Sequence, residues 1–301
     1  NGCSKENYPE SVLAKTNFEG YQYGIPWDFN AGILYVNKDL VEQYGVGSYL
    51  EDGYLTFDEI NEIGEIVSKA EKPVYIINTY GSLNGYLPRY EELGGQLTDA
   101  DGKLTIDPAI FAKMLETMRD MTQKGYCPGQ NDDNAALFYG GEMMFYEGGT
   151  WAVPTVNTSG LNYYCLPMPC FSADTALMRA GSHTLVQPTD DNRTEEEDKA
   201  VATFVNWMGE HSLLWSTEAG QVALYKGVRE SADFAALPQS FLGNEDFFGT
   251  HVHVYNYYHW DLLDSALSQM GRDPLYDTSI DLTQAAQGVQ KTVDDAIAAA
   301  N

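Results

Sequence analysis

The stretch Phe138-Tyr139-Gly140-Gly141-Glu142-Met143-Met144-Phe145-Tyr146-Glu147-Gly148-Gly149-Thr150-Trp151 carries an apolar run at 143–146 that predicts a strand. A second glycine pair then delivers the chain to a tryptophan. Glycine lets backbone approach a neighbour or a ligand closely, and an indole offers a broad apolar face. Outward from this stretch, strands are predicted at 21–25, 33–36, 74–77, 163–166 and 184–186, alternating with capped amphipathic helices. Such alternation is the pattern of an α/β fold.

The helices announce their ends. Thr56-Phe57-Asp58-Glu59 is a capping box ahead of a stripe of Ile60, Ile63 and Val67, and Pro73 blocks continuation. Asp107-Pro108 opens a helix whose buried face is Phe111, Met114, Leu115 and Met118, and Lys124-Gly125 stops it. Thr194 and Glu197 form a second capping box, followed by an expected buried stripe of Ala200, Val201, Phe204, Val205 and Met208, with Gly209 as terminator. Thr283 is expected to cap a terminal helix with Ala286, Val289, Val293 and Ile297 on one face. No internal repeat or low-complexity linker interrupts the chain.

The 301 residues suffice for two lobes or one large domain. Seventeen Lys and Arg stand against 44 Asp and Glu, a formal charge of −27 that repels phosphate backbones and anionic membranes. Nucleic acid is therefore excluded as a partner. With 44% hydrophobic residues the acidity is a solvated coat on a folded protein. No apolar run approaches the roughly 18 residues that a membrane span needs. Gly2-Cys3 lacks the aliphatic residues usual before a lipid-attachment cysteine, so Cys3 reads as a helix-end cysteine. Cys3, Cys127, Cys165 and Cys170 make no metal spacing, and a Cys165–Cys170 bridge is unforced.

Several segments, in order, resemble the extracellular solute-binding proteins of ABC sugar importers, the maltose-binding-protein-like family. They are Tyr23-Gly24-Ile25-Pro26, the run 33–40, Thr56-Phe57-Asp58-Glu59, Gly94-Gly95-Gln96-Leu97 with Asp101-Gly102, the stretch 138–151, Gly181-Ser182-His183-Thr184, and Val222-Ala223-Leu224-Tyr225-Lys226. The family's Gly-x-x-Pro near Gly220 lacks its proline here. The resemblance implies a two-lobed, type II periplasmic-binding-protein-like fold. Residues 1–31 and 182–230 would be the remnant of the amino-terminal lobe, and 32–181 with 231–301 the carboxy-terminal lobe. In this family about a hundred residues, a half-lobe in size, should precede Tyr-Gly-Ile-Pro, against about twenty here. The first lobe is thus expected to be partial and to expose apolar surface.

The implied function is capture of a sugar or oligosaccharide between hinged lobes, for delivery to the membrane permease subunits of an ABC importer. An extracellular location follows, by an amino-terminal lipid tether or in a periplasm. Sugars present hydroxyl edges and C–H faces, so their sites need aromatic platforms and polar edges. By the resemblance Trp151 is the stacking tryptophan, Asp28 and His183 stand at the two lobe crossings, and Trp27 adjoins Asp28. Tyr257 and Trp260 belong to an aromatic wall ahead of a helix at 261–270, and Asn84 and Tyr86 lie on a loop that reaches ligand in relatives.

Other chemistries find less support. His251, His253 and His259 fit no zinc pattern, and Asp99-Ala100-Asp101-Gly102 lacks the downstream glutamate of a calcium loop and predicts a hairpin turn. No cofactor is expected. A secreted glycan-active hydrolase would need two carboxylates at a set separation, and no nucleophile or acid/base motif stands out. A binding protein for peptides or another polar solute would share the fold and differ in its site.

Overall fold

The structure, a computed structural model, describes residues 4–79, 81–255 and 259–300, so Gly2, Cys3 and Tyr257 lie outside the described residues. Its principal elements are β1 (Gly24–Pro26), β2 (Asp28–Asn37), α1 (Phe57–Val67), β3 (Tyr75–Ile77), α2 (Leu83–Glu92), α3 (Pro108–Gln123) and β4 (Met143–Gly149). There follow β5 (Tyr163–Leu166), β6 (Met178–Gly181), β7 (Thr184–Val186), α4 (Glu195–Glu210), α5 (Ser212–Ala219), β8 (Val222–Ala223), α6 (Trp260–Met270) and α7 (Leu282–Ala300). The fold is mixed α/β, as the alternation of strand and helix predicts.

Two compact units divide the chain: Asn1–Ala31, Gly149–Thr158 and Ala180–Val254 form the first, and Gly32–Gly148, Ser159–Arg179 and Tyr255–Asn301 the second. This division puts 149–158 and 231–254 with the first unit, where the sequence reading groups them with the carboxy-terminal lobe.

In the second unit β5 runs antiparallel to β2, with Leu34 opposite Leu166, while β3 runs parallel to β4, with Ile77 opposite Phe145. Parallel strands are covered on both faces, which is why Ile76, Ile77, Met143, Met144 and Phe145 are all at most 1% exposed. Thr56 accepts from the backbone of Glu59 and Glu59 reaches back, completing the capping box of α1, whose Ile60, Ile63 and Val67 are fully buried. Asp107 caps α3 through the N–H groups of Ala109 and Ile110, and Gly125 takes a left-handed φ of 73° just beyond it. The 99–102 turn closes a hairpin, with Asp99 accepting from the N–H groups of Asp101 and Lys103.

One cap differs from expectation. Helix α7 begins at Leu282, and Asp281 accepts the N–H of Gln284 at 2.8 Å, so Asp281 is the cap and Thr283 lies in the first turn. A carboxylate there also meets the positive end of the helix dipole, an advantage a hydroxyl lacks.

In the first unit β1 pairs antiparallel with β7, and the start of β2 pairs with β8 and β6. The Thr194–Glu197 capping box forms as expected, but the stripe behind it is not buried: Ala200 is exposed and Phe204 is 56% exposed. An amphipathic stripe is buried only where another layer covers it. Of the nine large apolar side chains exposed among the described residues, all but Ile66 belong to this unit. Gly209 lies inside α4 rather than ending it; a Cβ there would fall 2.6 Å from the Tyr8 hydroxyl and 2.7 Å from the Tyr225 ring. Cys127, Cys165 and Cys170 are buried free thiols, so no Cys165–Cys170 bridge forms.

Candidate functional site

Two clusters bring sequence-named residues together, one in each unit. In the first unit, Asp28 begins β2 and its side chain is fully buried. Its carboxylate accepts the backbone N–H of His183 at 2.9 Å, lies 2.9 Å from His183 Nδ1, and accepts the indole N–H of Trp215. Asp28 is therefore committed to protein donors. Its role is to hold His183, whose Nδ1–H donates inward so that Nε2 faces outward on a ring 59% exposed. Trp27 stacks on Trp215 at 4.9 Å and 20°, and its own Nε1 donates to the Met208 carbonyl at 3.0 Å. Trp215 was missed in the sequence, because nothing local marks a tryptophan on α5 as the partner of residues near 28.

Asp28→Ala should cost on the order of 2 kcal/mol of stability in a denaturant titration, since it removes a buried carboxylate that accepts the partly buried N–H donors of Trp215 and His183. An exposed carboxylate would cost under about 0.5 kcal/mol on the same change, and that outcome would remove Asp28 from its structural role.

Trp151 sits in the short turn Thr150–Ala152 that follows β4 and is 46% exposed. Its ring lies against Gly149: a Cβ on Gly149 would fall 2.2 Å from the indole. Gly220, left-handed at φ 71°, backs the same turn, and a Cβ there would meet the Thr150 carbonyl oxygen at 2.0 Å. The turn near Gly220 thus forms without its proline, and the indole stays open to solvent on a backbone shelf.

In the second unit Asn84 accepts from Arg179 at 2.6 Å, and the Arg179 guanidinium lies 5.6 Å from the centre of the Trp260 ring. Trp260 stacks on Tyr255 at 4.9 Å and 10°, and the Tyr255 hydroxyl donates to Glu91. Helix α6 starts at Trp260 itself. Tyr86 departs from the expectation of a ligand contact: it is fully buried, packs on Phe111 and donates to the Gly271 carbonyl at 2.7 Å. Burial pushes its hydroxyl pKa well up. It faces inward because α2 presents that side to the core.

A pocket of about 250 Å³ in the same unit is lined by Asn78, Thr79, Ser82, Asn134, Glu147 and Arg272 among others. Asn78 and Thr79 directly follow β3, so this is the carboxyl end of a parallel strand pair, where α/β sheets bind ligands. Asn78 exchanges two hydrogen bonds with the backbone of Glu147, at 3.0 and 2.6 Å, and the Glu147 carboxylate pairs with Arg89 in the core. Ser82 Oγ and Asn134 Oδ1 are buried without hydrogen-bond partners, so the pocket retains polar capacity for a hydroxylated guest. Sequence reasoning missed Ser82, Asn134 and Arg272, since each is also an ordinary turn or helix-start residue.

Glu92, at the end of α2, accepts the N–H groups of Phe171 and Leu177 at 2.8 and 2.9 Å. Burial raises its pKa to about 7 despite those bonds and the nearby Arg89. Among the described residues no helix is long and apolar enough to cross a membrane.

Residues 5–241 match the family described as bacterial extracellular solute-binding protein. An arabinooligosaccharide-binding protein of Halalkalibacterium halodurans is 27% identical over 107 residues, which are 34% of this chain and 22% of that relative's length. Among solved structures, maltose-bound MalE3 of T. maritima is 19% identical with a TM-score of 0.75, covering 97% of this chain and 77% of its own. The GacH receptor of Streptomyces glaucescens, solved unliganded and with acarbose, is 17% identical with a TM-score of 0.77, covering 96% and 76%. The chain thus spans about three quarters of these structures and shares their fold.

Proposed function

Because the chain belongs to the bacterial extracellular solute-binding proteins, we propose that it captures a sugar or short oligosaccharide for an ABC importer, without transforming it. The observation that carries this reading is the half-exposed Trp151 lying on the Gly149 backbone, an apolar platform suited to the face of a pyranose. The polar pocket at the end of β3 supplies donors and acceptors for hydroxyl groups. In the first unit His183 and Trp27, with Asp28 acting through His183, and in the second Asn84 and Trp260, are further proposed ligand contacts. The arabinooligosaccharide, maltose and acarbose of the relatives favour a carbohydrate over a peptide. Membrane permease subunits are the proposed partners, and the proposed setting is extracellular, tethered by an amino-terminal lipid or held in a periplasm.

A thermal-shift screen against mono- and oligosaccharides, maltose and arabinooligosaccharides included, tests this. A sugar at a hundred times its Kd stabilises by about 2.7 kcal/mol, which raises Tm by roughly 5 °C or more. The bound sugar should be recovered intact. Sustained release of reducing ends, lost on substituting one carboxylate, would replace capture with hydrolysis.

A further inference from the structure

Within the loop between β5 and β6, the segment 171–177 is clipped at both ends by one side chain. Phe171 N–H donates to Glu92 Oε2 at 2.8 Å and Leu177 N–H to Oε1 at 2.9 Å, so each oxygen holds one end. The two ends differ in their other support. Beside Phe171, Cys170 donates to the Leu55 carbonyl at 3.1 Å and accepts from the Phe57 N–H at 3.0 Å, while the Phe171 ring packs on Phe57 at 4.8 Å. The Leu177 end is bonded to Glu92 and passes at Met178 into β6, whose pairing with β2 is Ala180 opposite Ala31 and Gly181 opposite Asn30; within β6 Arg179 donates to Asn84 and lies over Trp260.

We propose that Glu92 is a proton-operated latch on the 171–177 loop: loss of its charge releases the Leu177 end and shifts Arg179 from its positions on Asn84 and Trp260. An ionised carboxylate accepts at both oxygens, and its bonds to N–H groups are charge-assisted. A neutral carboxyl keeps one good acceptor; its hydroxyl oxygen carries a proton and faces the second N–H as a weak one. Phe171 adjoins Cys170, bonded through both its N–H and its carbonyl, whereas the pairing of β6 with β2 begins three positions beyond Leu177, so the acceptor that weakens is felt at Leu177.

The surroundings let this happen near neutrality. Arg89, three residues earlier on α2, favours the charge, but its guanidinium is engaged by Glu147. The Cys170 thiol beside the loop is held up at about 12, by burial first and then by Glu92 and Glu59, so it stays neutral. Burial of the carboxylate outweighs Arg89 and both N–H groups, which places the midpoint at about 7. Arg179 acts here as a positioning residue, the link between the loop and the aromatic cluster.

The test needs no ligand. In the full chain, amide signals of Phe171 and Leu177, the Arg179 Nε–H signal and the Trp260 indole signal are followed by NMR between about pH 5.5 and 8.5, a window that brackets the Glu92 midpoint. All four should titrate with one midpoint near neutrality, Leu177 moving more than Phe171. In Glu92→Gln all four should be flat and lie near the acid-limit positions. An indole signal that still titrates in Glu92→Gln would overturn the coupling. Amides that titrate in the wild type while Arg179 stays still would also overturn it, as would amides that do not titrate at all. The wild-type titration stands by itself should the variant fail to fold.

Discussion

Glu147→Ala should destabilise the protein by about 3–5 kcal/mol, the cost of leaving a buried charge without its partner. Arg89 and Glu147 are 2% and 1% exposed and form an ion pair in the core of the second unit, with the guanidinium also 5.1 Å over the Phe57 ring. Removing the carboxylate leaves that buried guanidinium without its partner. Replacing both partners with apolar residues of similar volume should recover most of the loss, because the pair itself contributes little net stability. Denaturant titration of the single and double variants decides the matter. A Glu147→Ala variant as stable as the wild type would mean that the pair is solvated.

Trp151→Ala should leave the fold nearly untouched and remove a central ligand contact. An aromatic that was wholly in the core would cost about 3–5 kcal/mol of stability when truncated. Trp151 is 46% exposed, so its truncation should cost roughly 1 kcal/mol or less. Affinity for a sugar that shifts the melting curve should fall by about 2 kcal/mol, on the order of 30-fold. Calorimetry and denaturant titration on one preparation separate the two effects. Retained affinity would move the stacking role to Trp260 or Trp27, and Trp27 already has one face on Trp215.

Local rules carried far in this chain. The two capping boxes, the Asp107 cap and the buried stripes of α1 and α3 follow from patterns within a few residues, and the structure repeats them. The stripe of α4 failed because its period tells which side is apolar and nothing about whether a layer lies against it. The candidate sites were legible only by half. Trp151, Asp28 and His183 stand in recognisable segments, whereas Trp215 and Arg179 gain meaning from partners 187 and 95 positions away, and Ser82 from a pocket wall it shares with Arg272, for which no spacing rule exists. Tyr86 was misplaced for the same reason, since its inward direction depends on Gly271 across the unit.

The division of each unit among three separate segments bears on how the chain acquires its structure during synthesis. The first unit pairs the start of β2 with β6 and β8, so its sheet cannot close until residue 223 has been made. The second needs α7, which packs Ala286, Val289 and Val293 into its core. Contacts so distant in sequence carry a loop-closure cost before they contribute, and they slow folding. The first unit therefore has its last segment by residue 254 and can close while the second still waits for α7.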